Sequence, residues 1–525
     1  MAEASLTTPY STASPYTSGS LADWVDEYSA QRLAAYSLYD DLYYNAPGTY
    51  KLLLRGSDDA PVYVPTAKRL INTFARYVGR NWGFSVLPAL DPATGAVPVD
   101  SDGAPVIGPE ELLAMSTFSD LFTRENMLGK FESGNRECLR RGDWVWYLSA
   151  DPDKAEGSRI SVESIDPSTY FPLTSDANIN RLSGAMIVEQ YVLDDDETVV
   201  VKVQRWLKPI HPDHPGYVPD GPASATEIAY DCTAYEVDSW SDPDERVQVA
   251  VPWAVALEIL PGILTVPLYH IRNAHTSGDP FGRSELSGVE SLFVAINQAA
   301  TDEDFALAMA GLGMYETDSG APVDQDGNPT DWVLGPNRVV EVGNGKHFKR
   351  VPGVSSVDPS QSHIAYLEES AYGASGINEI ALGSRGSVTE SGIALSIRMQ
   401  PLFDEADSRD KEINSVLSQM FHDLKTWFSV YEGVNLGEVR IISTTDTTDR
   451  IPFDRKARWE ELVNGYSAGI FALDFVHKIL VEDFGYDLAP ADLAAALESQ
   501  AKRAEQADPY ASRAAGELSA SDGNA

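Results

Sequence analysis

The sequence is poor in cysteine and in positive charge. Its 525 residues include two cysteines, Cys138 and Cys232, which excludes a disulfide framework and a cysteine-rich metal site and favours a reducing compartment. Lysine and arginine number 39 against 79 aspartates and glutamates, so the net charge is −40. A protein that binds by neutralising phosphates needs a basic surface, and this composition therefore argues against adhesion to nucleic acid or anionic membranes.

Long hydrophobic runs are also missing. The most apolar window, residues 251–271, contains Glu258 and prolines at positions 252, 261 and 267, which argues against a membrane-spanning helix. The first residues lack the basic start and apolar core of a signal peptide. We therefore expect a soluble protein that is assembled in the cytoplasm.

Signatures of catalysis are absent, since the sequence has no Walker loop, paired-histidine zinc helix or nucleophile elbow. His211 and His214 lie in a loop rich in proline and aspartate, which favours a solvent-exposed turn over a metal site. Residues 324–328 imitate the start of a calcium loop, but its twelfth position is Gly335 instead of glutamate, which favours a hairpin turn. The acidic run 194–197 is interpreted as a solvated hairpin tip. We predict no enzyme activity, metal site or cofactor.

The composition, with 43% hydrophobic and 10% aromatic residues, predicts a globular protein with a sizeable core. Residues 1–20 are predicted to be a disordered arm and residues 506–525 a flexible tail. Apolar spacing in the first half predicts helices starting at Leu21 and Pro65 and a third over 119–141 that stops at Gly142. Strands are predicted at 144–148, 185–193, 198–207 and 233–237. The first half is therefore predicted to be a mixed α+β domain.

The second half begins with a predicted helix over 284–310, which contains five acids and no lysine or arginine. A β-rich excursion over 311–357 follows, with a basic cluster formed by Lys346, Lys349 and Arg350 that is interpreted as an ordinary solvated strand face. Asp358 then gives an N-cap acid with Pro359 at the first helical position, and this helix is expected to end near 373–376.

A loop rich in glycine and serine follows the second of these helices. It contains Gly383, Ser384, Arg385, Gly386 and Ser387. Its backbone is suited to an anion nest or to a flexible helix entry. The next helix is predicted over 391–428 with a kink at Pro401, because proline removes a donor and clashes with the preceding turn. A strand at 440–443 and a small helical domain over 455–505 complete the chain.

The order of these elements resembles that of the portal proteins of tailed bacteriophages, in particular the branch with an acidic chain of this size. Five phrases carry the resemblance. They are residues 139–145, 165–172, 282–286, 377–383 and 391–395. Each phrase is weak by itself, whereas their order over residues 21–505 is more specific.

The resemblance implies a portal fold and a ring, usually of twelve subunits, at one capsid vertex of the virion around a DNA channel. It divides the chain into a wing (21–283), first stem helix (284–310), clip (311–357), second stem helix (358–376), tunnel loop (377–390), long kinked helix with a return to the wing (391–454) and crown (455–505). The implied partners are further copies of the chain, the major capsid protein, the terminase, a head completion or adaptor protein, and double-stranded DNA bound without sequence specificity.

Within this resemblance, Arg385 is the only basic residue of the Gly/Ser loop and is expected to contact DNA phosphates transiently. The resemblance also implies that the basic cluster lies near the channel axis. One rival interpretation is a soluble, acidic, carbohydrate-active hydrolase, in which ten tryptophans would serve as stacking platforms beside a carboxylate pair. A second is another shell or adaptor component of a phage head, which explains the helix, clip and helix order less well.

Overall fold

The computed structural model describes most of the chain between residues 27 and 480. The described residues are 27–54, 60–88, 97–98, 106–175, 178–193, 199–219, 223–239, 245–276, 279–312, 314–322, 326–330, 345–351, 357–378, 380–383, 392–445, 455–468, 470–471, 475–476 and 479–480. The predicted arm (1–20) and tail (506–525) lie outside them. The chain divides into two compact units, residues 1–389 with 397–447, and residues 390–396 with 448–525.

Four helices lie in the first part of the first unit. They are α1 (Glu27–Tyr44), α2 (Thr66–Phe74), α3 (Pro109–Arg124) and α4 (Met127–Arg141). The single helix predicted over 119–141 is wrong, because Asn126, with φ of 47°, separates α3 from α4. Asparagine tolerates this left-handed conformation better than most residues. Both helices bury apolar faces, so the helical spacing continues across the break and conceals it. The predicted stop at Gly142 is confirmed.

The described strands form antiparallel sheets. They are β1 (Gly83–Leu87), β2 (Asp143–Ala150), β3 (Ile160–Ile165), β4 (Tyr170–Ser175), β5 (Asn178–Val192), β6 (Val199–Leu207), β7 (Ala229–Glu236), β8 (Gln248–Val249), β9 (Val255–Ile259), β10 (Leu268–Arg272), β11 (Met314–Thr317), β12 (Phe348–Val351) and β13 (Arg440–Thr444). The mixed α+β class predicted from the sequence is confirmed. The sequence did not predict β1, β3, β4, β8, β9 or β10, which have two to six residues each, so their alternation is weak.

The largest sheet has the order β4-β5-β6-β7-β8, with β9 also paired to β7. A three-stranded sheet has the order β10-β2-β3. Val192 of β5 faces Val199 of β6, so the acidic run lies between two paired strands, as its interpretation as a hairpin tip requires. Residues 194–198 themselves lie outside the described residues.

Three helices occupy the second half of the chain: α5 (Glu290–Leu312), α6 (Asp358–Gly373) and α7 (Gly392–Trp427). α5 starts six residues later than predicted, because the Leu286 N–H donates to the Ser284 hydroxyl at 3.0 Å and residues 285–288 form turns instead. α6 begins at Asp358, but Val357 occupies the N-cap, so Asp358 is inside the helix. α7 contains Pro401, and the kink there stays a prediction.

An aromatic core joins the two halves of the first unit. The Trp82 ring stacks on Phe131 with centroids 4.3 Å apart, and Phe421 of α7 lies 6.2 Å from Trp82. The Trp82 Nε1–H donates to the Ser443 hydroxyl at 2.9 Å. β13, which the sequence predicted, pairs with β1 from Gly83 onward. The chain therefore returns after α7 to the region built by its first 150 residues.

The second unit contains one described helix, α8 (Arg455–Ser467), within the range predicted as a helical domain. Buried Val476 and Leu480 pack with Tyr466 and Phe471 in a small apolar cluster. Most of residues 469–505 lies outside the described residues. Among the helices that the structure describes in either unit, none combines the length and apolar character needed to cross a membrane.

Candidate functional site

Three of the five phrases singled out in the sequence meet at one place in the first unit, which we call the junction. They are residues 139–145, 165–172 and 282–286. Arg141 Nη1 lies 2.6 Å from Asp166 Oδ1, which links the first phrase to the second. The Gly282 N–H donates to Asp143 Oδ1 at 2.8 Å, which links the first to the third. The junction therefore fixes the segment leading into α5 against the end of α4.

Asp143 is the central acid of the junction and is 1% exposed. Besides Gly282, its Oδ1 contacts His270 Nε2 at 2.6 Å, and its Oδ2 accepts the Tyr36 hydroxyl. Burial and the adjacent Asp143 carboxylate raise the pKa of Tyr36 well above its usual value, so the phenol stays a donor. Three donors satisfy this buried carboxylate, and its removal leaves three polar groups without their acceptor.

Arg141 joins the junction to three acids. Its guanidinium lies 2.6 Å from Asp40 of α1, 3.0 Å from Glu137 and 2.6 Å from Asp166. Burial opposes the charge of Arg141, but the hydrogen bonds and negative charge of these carboxylates outweigh it and raise its pKa. The side chain is therefore a permanent cation that ties α1, α4 and the β3–β4 connection together.

Arg32 attaches α1 to the same connection from the other side. Its guanidinium donates to the carbonyl oxygens of Pro167 at 2.9 Å and Tyr170 at 3.0 Å. It also lies over the Phe281 ring, 4.1 Å from the centroid. A buried arginine that meets carbonyls and an aromatic face has a structural role, and it brings residue 281, just before the third phrase, against α1.

Glu285 extends the junction to α7. Its Oε1 accepts from Asn273 Nδ2 at 2.9 Å and lies 3.0 Å from Arg409 Nη2. Arg409 also pairs with Glu405 of α7 at 2.6 Å. The segment before α5 is therefore attached both to the end of β10 and to the long helix.

Glycine is required where the first and third phrases cross. Gly142 has φ of 104°, and a Cβ there would lie 2.8 Å from the carbonyl carbon of Arg283. A Cβ on Gly282 would collide with the Gly142 carbonyl oxygen. The two backbones pass so closely that neither position accepts a side chain without displacement.

The paired helices, α5 and α6, pack against each other and carry β11 and β12 between them in the chain. Gln361 of α6 donates to Glu303 Oε1 of α5 at 3.1 Å. The backbone of an N-terminal segment runs along α5, where the Val64 N–H donates to Asn297 Oδ1 at 2.6 Å. Neither helix contains lysine or arginine. These helices therefore present acidic and neutral side chains to their surroundings.

The predicted basic cluster lies on and beside the hairpin of β11 and β12. Lys349 Nζ is 3.7 Å from Glu316 Oε1, and the side chains are 67% and 51% exposed. Arg350 faces Tyr315 in the register, and Lys346 is exposed just before β12. An exposed pair at this distance is weak, so the charges of Lys346 and Lys349 are accessible to solvent, as on a solvated strand face.

Most of the predicted tunnel-loop residues lie outside the described residues. These are Ser384, Arg385, Gly386 and Ser387. Gly383 is described and has φ of 79°. On the flanks, Asn378 Nδ2 donates to the Arg398 carbonyl at 2.6 Å and its Oδ1 accepts from the Ala381 N–H at 3.0 Å. One amide therefore links the two sides of the loop, while the role of Arg385 stays a prediction.

Pro401 lies beside the chain that enters this loop. A Cβ on Gly376, which has φ of 67°, would lie 3.4 Å from the Pro401 carbonyl oxygen. The chain after α6 and the turn of α7 at Pro401 are therefore neighbours, and glycine allows their close approach.

The solvent-exposed turn predicted for His211 and His214 is wrong in part. His214 is 3% exposed, its Nδ1 accepts from the Gly216 N–H at 2.9 Å, and its Nε2 lies 3.2 Å from the Glu227 carbonyl. Burial lowers the pKa of His214, so the neutral ring organises this loop. Within the described ranges, no group of acids, histidines and cysteines is arranged to hold a metal ion.

Tryptophans and buried acids bear on the hydrolase alternative. Five tryptophans are 5% exposed or less and cannot serve as sugar platforms without unfolding the core: Trp82, Trp144, Trp146, Trp206 and Trp427. Sequence patterns did not reveal buried strand acids, but Asp143 and Asp231 are buried on β2 and β7. They belong to different sheets, and Asp231 pairs with Arg205 at 2.7 Å, so each of these carboxylates has structural partners of its own.

The sequence matches no protein-family model, and no curated protein matches it. Several solved structures are similar to the chain, and three of them are described here by identity, TM-score and the covered share of each chain. They are a virion of the native gene transfer agent (GTA) particle (13% identity, TM-score 0.37, 80% of this chain and 89% of that chain), the neck of the native GTA particle computed with C12 symmetry (12%, 0.37, 81% and 96%) and the neck of the empty GTA particle computed with C6 symmetry (14%, 0.40, 78% and 88%).

Proposed function

We propose that the chain is a portal protein, which assembles into a ring of about twelve copies at one vertex of a phage-like capsid and passes double-stranded DNA. The observation that carries the proposal is the order and attachment of the elements after the junction. The paired helices carry a hairpin, a loop with linked flanks follows, and α7 returns the chain to β1 through β13. This is the order that the sequence resemblance to portal proteins implies.

Each part then has a role in the ring. The paired helices form the stem, the hairpin region forms the clip, and residues 377–390 form the tunnel loop. The junction attaches the stem to the wing, and the second unit contributes the crown. Closing a ring through the clips also covers hairpin edges that would otherwise be open to aggregation.

The acidity of the chain suits passage instead of binding. DNA that slides through a channel is slowed by every strong phosphate contact, since each one must be broken. The paired helices contain no lysine or arginine, so their charge repels the DNA backbone. The few basic residues assigned near the channel axis guide the DNA at separate heights along the channel. They are Lys346, Lys349, Arg350 and Arg385.

The hairpin region supplies the docking surface for other proteins of the particle in this proposal. Its charged side chains are exposed, as Lys349 and Glu316 show, so they are available to a terminase during packaging and to a head completion protein afterwards. The capsid protein contacts the wing. The particle itself is the location in which the protein acts.

Ring formation is the direct test of this proposal. Light scattering of the purified protein should give a species of about twelve times the subunit mass of 57.1 kDa, and negative-stain images should show rings with a central hole. A stable monomer with hydrolytic activity on carbohydrate contradicts the proposal. Rings with a different number of subunits support the portal function and change only the proposed stoichiometry.

Arg385→Ala tests the loop. We expect the ring to assemble normally, whereas particles built with the variant should package or retain a different amount of DNA. Lys154→Ala, in an exposed turn of the wing, is the matched loss of one positive charge. If particles built with each of the two variants contain as much DNA as the parent particles, the proposed gating role of Arg385 is contradicted.

A further inference from the structure

An open cavity of about 590 Å³ lies between the end of α2 and the outer face of α4. Its lining includes three arginines, Arg76, Arg80 and Arg136, and one acid, Glu132. In a protein with twice as many acidic as basic residues, a cavity lined by more basic than acidic side chains is unusual. We call this site the α2–α4 cavity.

The positive charge of the cavity comes from a distinctive stretch of sequence. Residues 60–90 contain four bases and no aspartate or glutamate. The bases are Lys68, Arg69, Arg76 and Arg80. α4 adds Arg136 and, beside the cavity, Arg140, whose guanidinium lies 5.3 Å from the centroid of the Tyr43 ring. Arg140 is paired with Asp40 at 2.7 Å and with Glu137 at 3.5 Å, so the accessible positive charge of this surface comes from the arginines that line the cavity.

The cavity is fixed by contacts on its inner side. Asn135 Nδ2 donates to the Val78 carbonyl at 3.1 Å, and the Gly79 N–H donates to Asp410 Oδ1 of α7 at 2.7 Å. A Cβ on Gly79 would collide with Phe131. Its shape is therefore built into the core, and a ligand finds the arginines on a rigid support.

Two of the three cavity arginines, Arg76 and Arg136, are exposed and are not fully neutralised within the described part of the subunit. Arg76 is exposed and has no carboxylate within ion-pair distance among the described residues. Arg136 meets Glu132 at 3.6 Å, with side chains 50% and 72% exposed, and an exposed pair of this kind contributes little. Arginine presents a planar fork of donors that suits a carboxylate.

The rim of the cavity has the composition of a protein interface. Tyr44 is 64% exposed, packs edge to face on the cavity residue Tyr43 at 5.0 Å, and lies 5.5 Å from the Arg140 guanidinium. Tyrosine and arginine are the residues most enriched at the centre of protein interfaces. This rim favours a protein partner over a nucleic acid.

We propose that the α2–α4 cavity binds an acidic surface of a second copy of this chain. The inference rests on the proposed ring, in which a cyclic interface joins one patch of each subunit to a different patch of the next. Copies with a net charge of −40 repel one another unless negative surface meets positive surface at the contact. The chain supplies acidic surface in excess, and this cavity supplies the complement.

Charge reversal tests the site. The double variant Arg76→Glu with Arg136→Glu should retain the far-UV circular dichroism of the parent, because both side chains are exposed, and should lose the ring. We expect subunit dissociation at concentrations at least about tenfold higher than for the parent. Lys154→Glu with Arg440→Glu makes the same change in net charge at exposed positions and should leave the ring intact.

Cross-linking gives a second measurement that does not need a closed ring. A carbodiimide joins an amine directly to a carboxylate, so Arg76→Lys should link to an aspartate or glutamate of another copy. Mixing isotope-labelled and unlabelled chains identifies links between copies by mass spectrometry. Links from residue 76 to another copy without a ring contradict the portal proposal and support the proposal that the cavity binds a second copy. A ring without such links supports the portal proposal and contradicts the role of the cavity.

Other outcomes overturn the inference. The ring survives charge reversal if the cavity is not at the interface, and it is lost in both double variants if net charge alone controls assembly. A reversed variant that keeps its ring but loses binding of a double-stranded DNA fragment shows that the cavity is a phosphate site instead.

Discussion

The junction and the hairpin of β11 and β12 hold their charges in opposite ways. At the junction, Asp143 is 1% exposed and has three donors, and Arg141 meets three carboxylates within 3.0 Å. On the hairpin, Lys349 and Glu316 are 3.7 Å apart and mostly exposed. Buried charges must be paired and then fix the structure, whereas exposed charges cost little and stay available. The same residue types therefore serve attachment in one region and stay exposed to solvent in the other.

The sharpest way to test this contrast is Asp143→Ala. The change leaves His270, Tyr36 and the Gly282 N–H without their acceptor, so we expect the free energy of unfolding to fall by about 3–5 kcal/mol. Denaturant unfolding measures the loss. Asp143→Asn keeps an acceptor and should lie between the parent and the alanine variant. A loss below about 1 kcal/mol would show that the junction is not a rigid attachment.

Arg409→Ala tests the connection of the junction to α7. It removes the partner of the largely buried Glu285 and should lower the free energy of unfolding by about 2 kcal/mol. Arg458→Ala, which affects an exposed pair with Glu461 at 3.1 Å, is the control and should cost less than about 0.5 kcal/mol. Equal losses in the two variants would remove the distinction between the junction and the surface.

Glu125, between α3 and α4, gives a pH-dependent test. Burial raises its pKa, but Lys130 at 3.1 Å and the Val162 N–H outweigh burial, and the pKa is lowered. The ionised carboxylate therefore stabilises the fold above the ordinary pKa of a glutamate, and this contribution is lost as the pH falls through the lowered pKa.

Glu125→Gln should therefore cost about 1 kcal/mol near pH 7, and the difference from the parent should shrink in acid. Unfolding measured at several pH values checks this. A difference that stays constant from neutral pH to about pH 3 means that the ionised carboxylate contributes nothing.

Lys349→Ala should have the smallest effect. Its pair with Glu316 is exposed, so the free energy of unfolding should change by less than about 0.5 kcal/mol. Denaturant unfolding and its salt dependence measure this. A loss above about 1.5 kcal/mol would make the hairpin pair as structural as the junction and contradict the contrast between them.

The sequence predicted those elements whose residues carry a clear local pattern. Apolar spacing located α1 and α2, alternation located β2, β5, β6 and β7, and the stop at Gly142 followed from glycine at a helix end. The break at Asn126 was missed because the helical spacing of apolar residues continues from α3 into α4. A single residue in the left-handed conformation does not interrupt that spacing.

The junction was beyond prediction from local patterns. Asp143 and Gly282 are 139 positions apart, and nothing in either phrase specifies the other as its partner. The burial of His214 was missed for the same reason, because its neighbours in sequence are polar while its contacts are with backbone groups of a folded loop. The phrases themselves were informative, since three of the five meet at the junction.

The crossing of Gly142 and Gly282 has a mechanical consequence. α5 has 23 residues, so at 1.5 Å per residue it is a rod about 35 Å long. The segment that leads into it, residues 282–285, is held at the junction by backbone contact, by Asp143 and by Glu285, while the chain beyond its other end forms the hairpin. A load on the hairpin then acts with the full length of the rod as its lever arm. The part of the first unit that holds the junction receives that load as a torque.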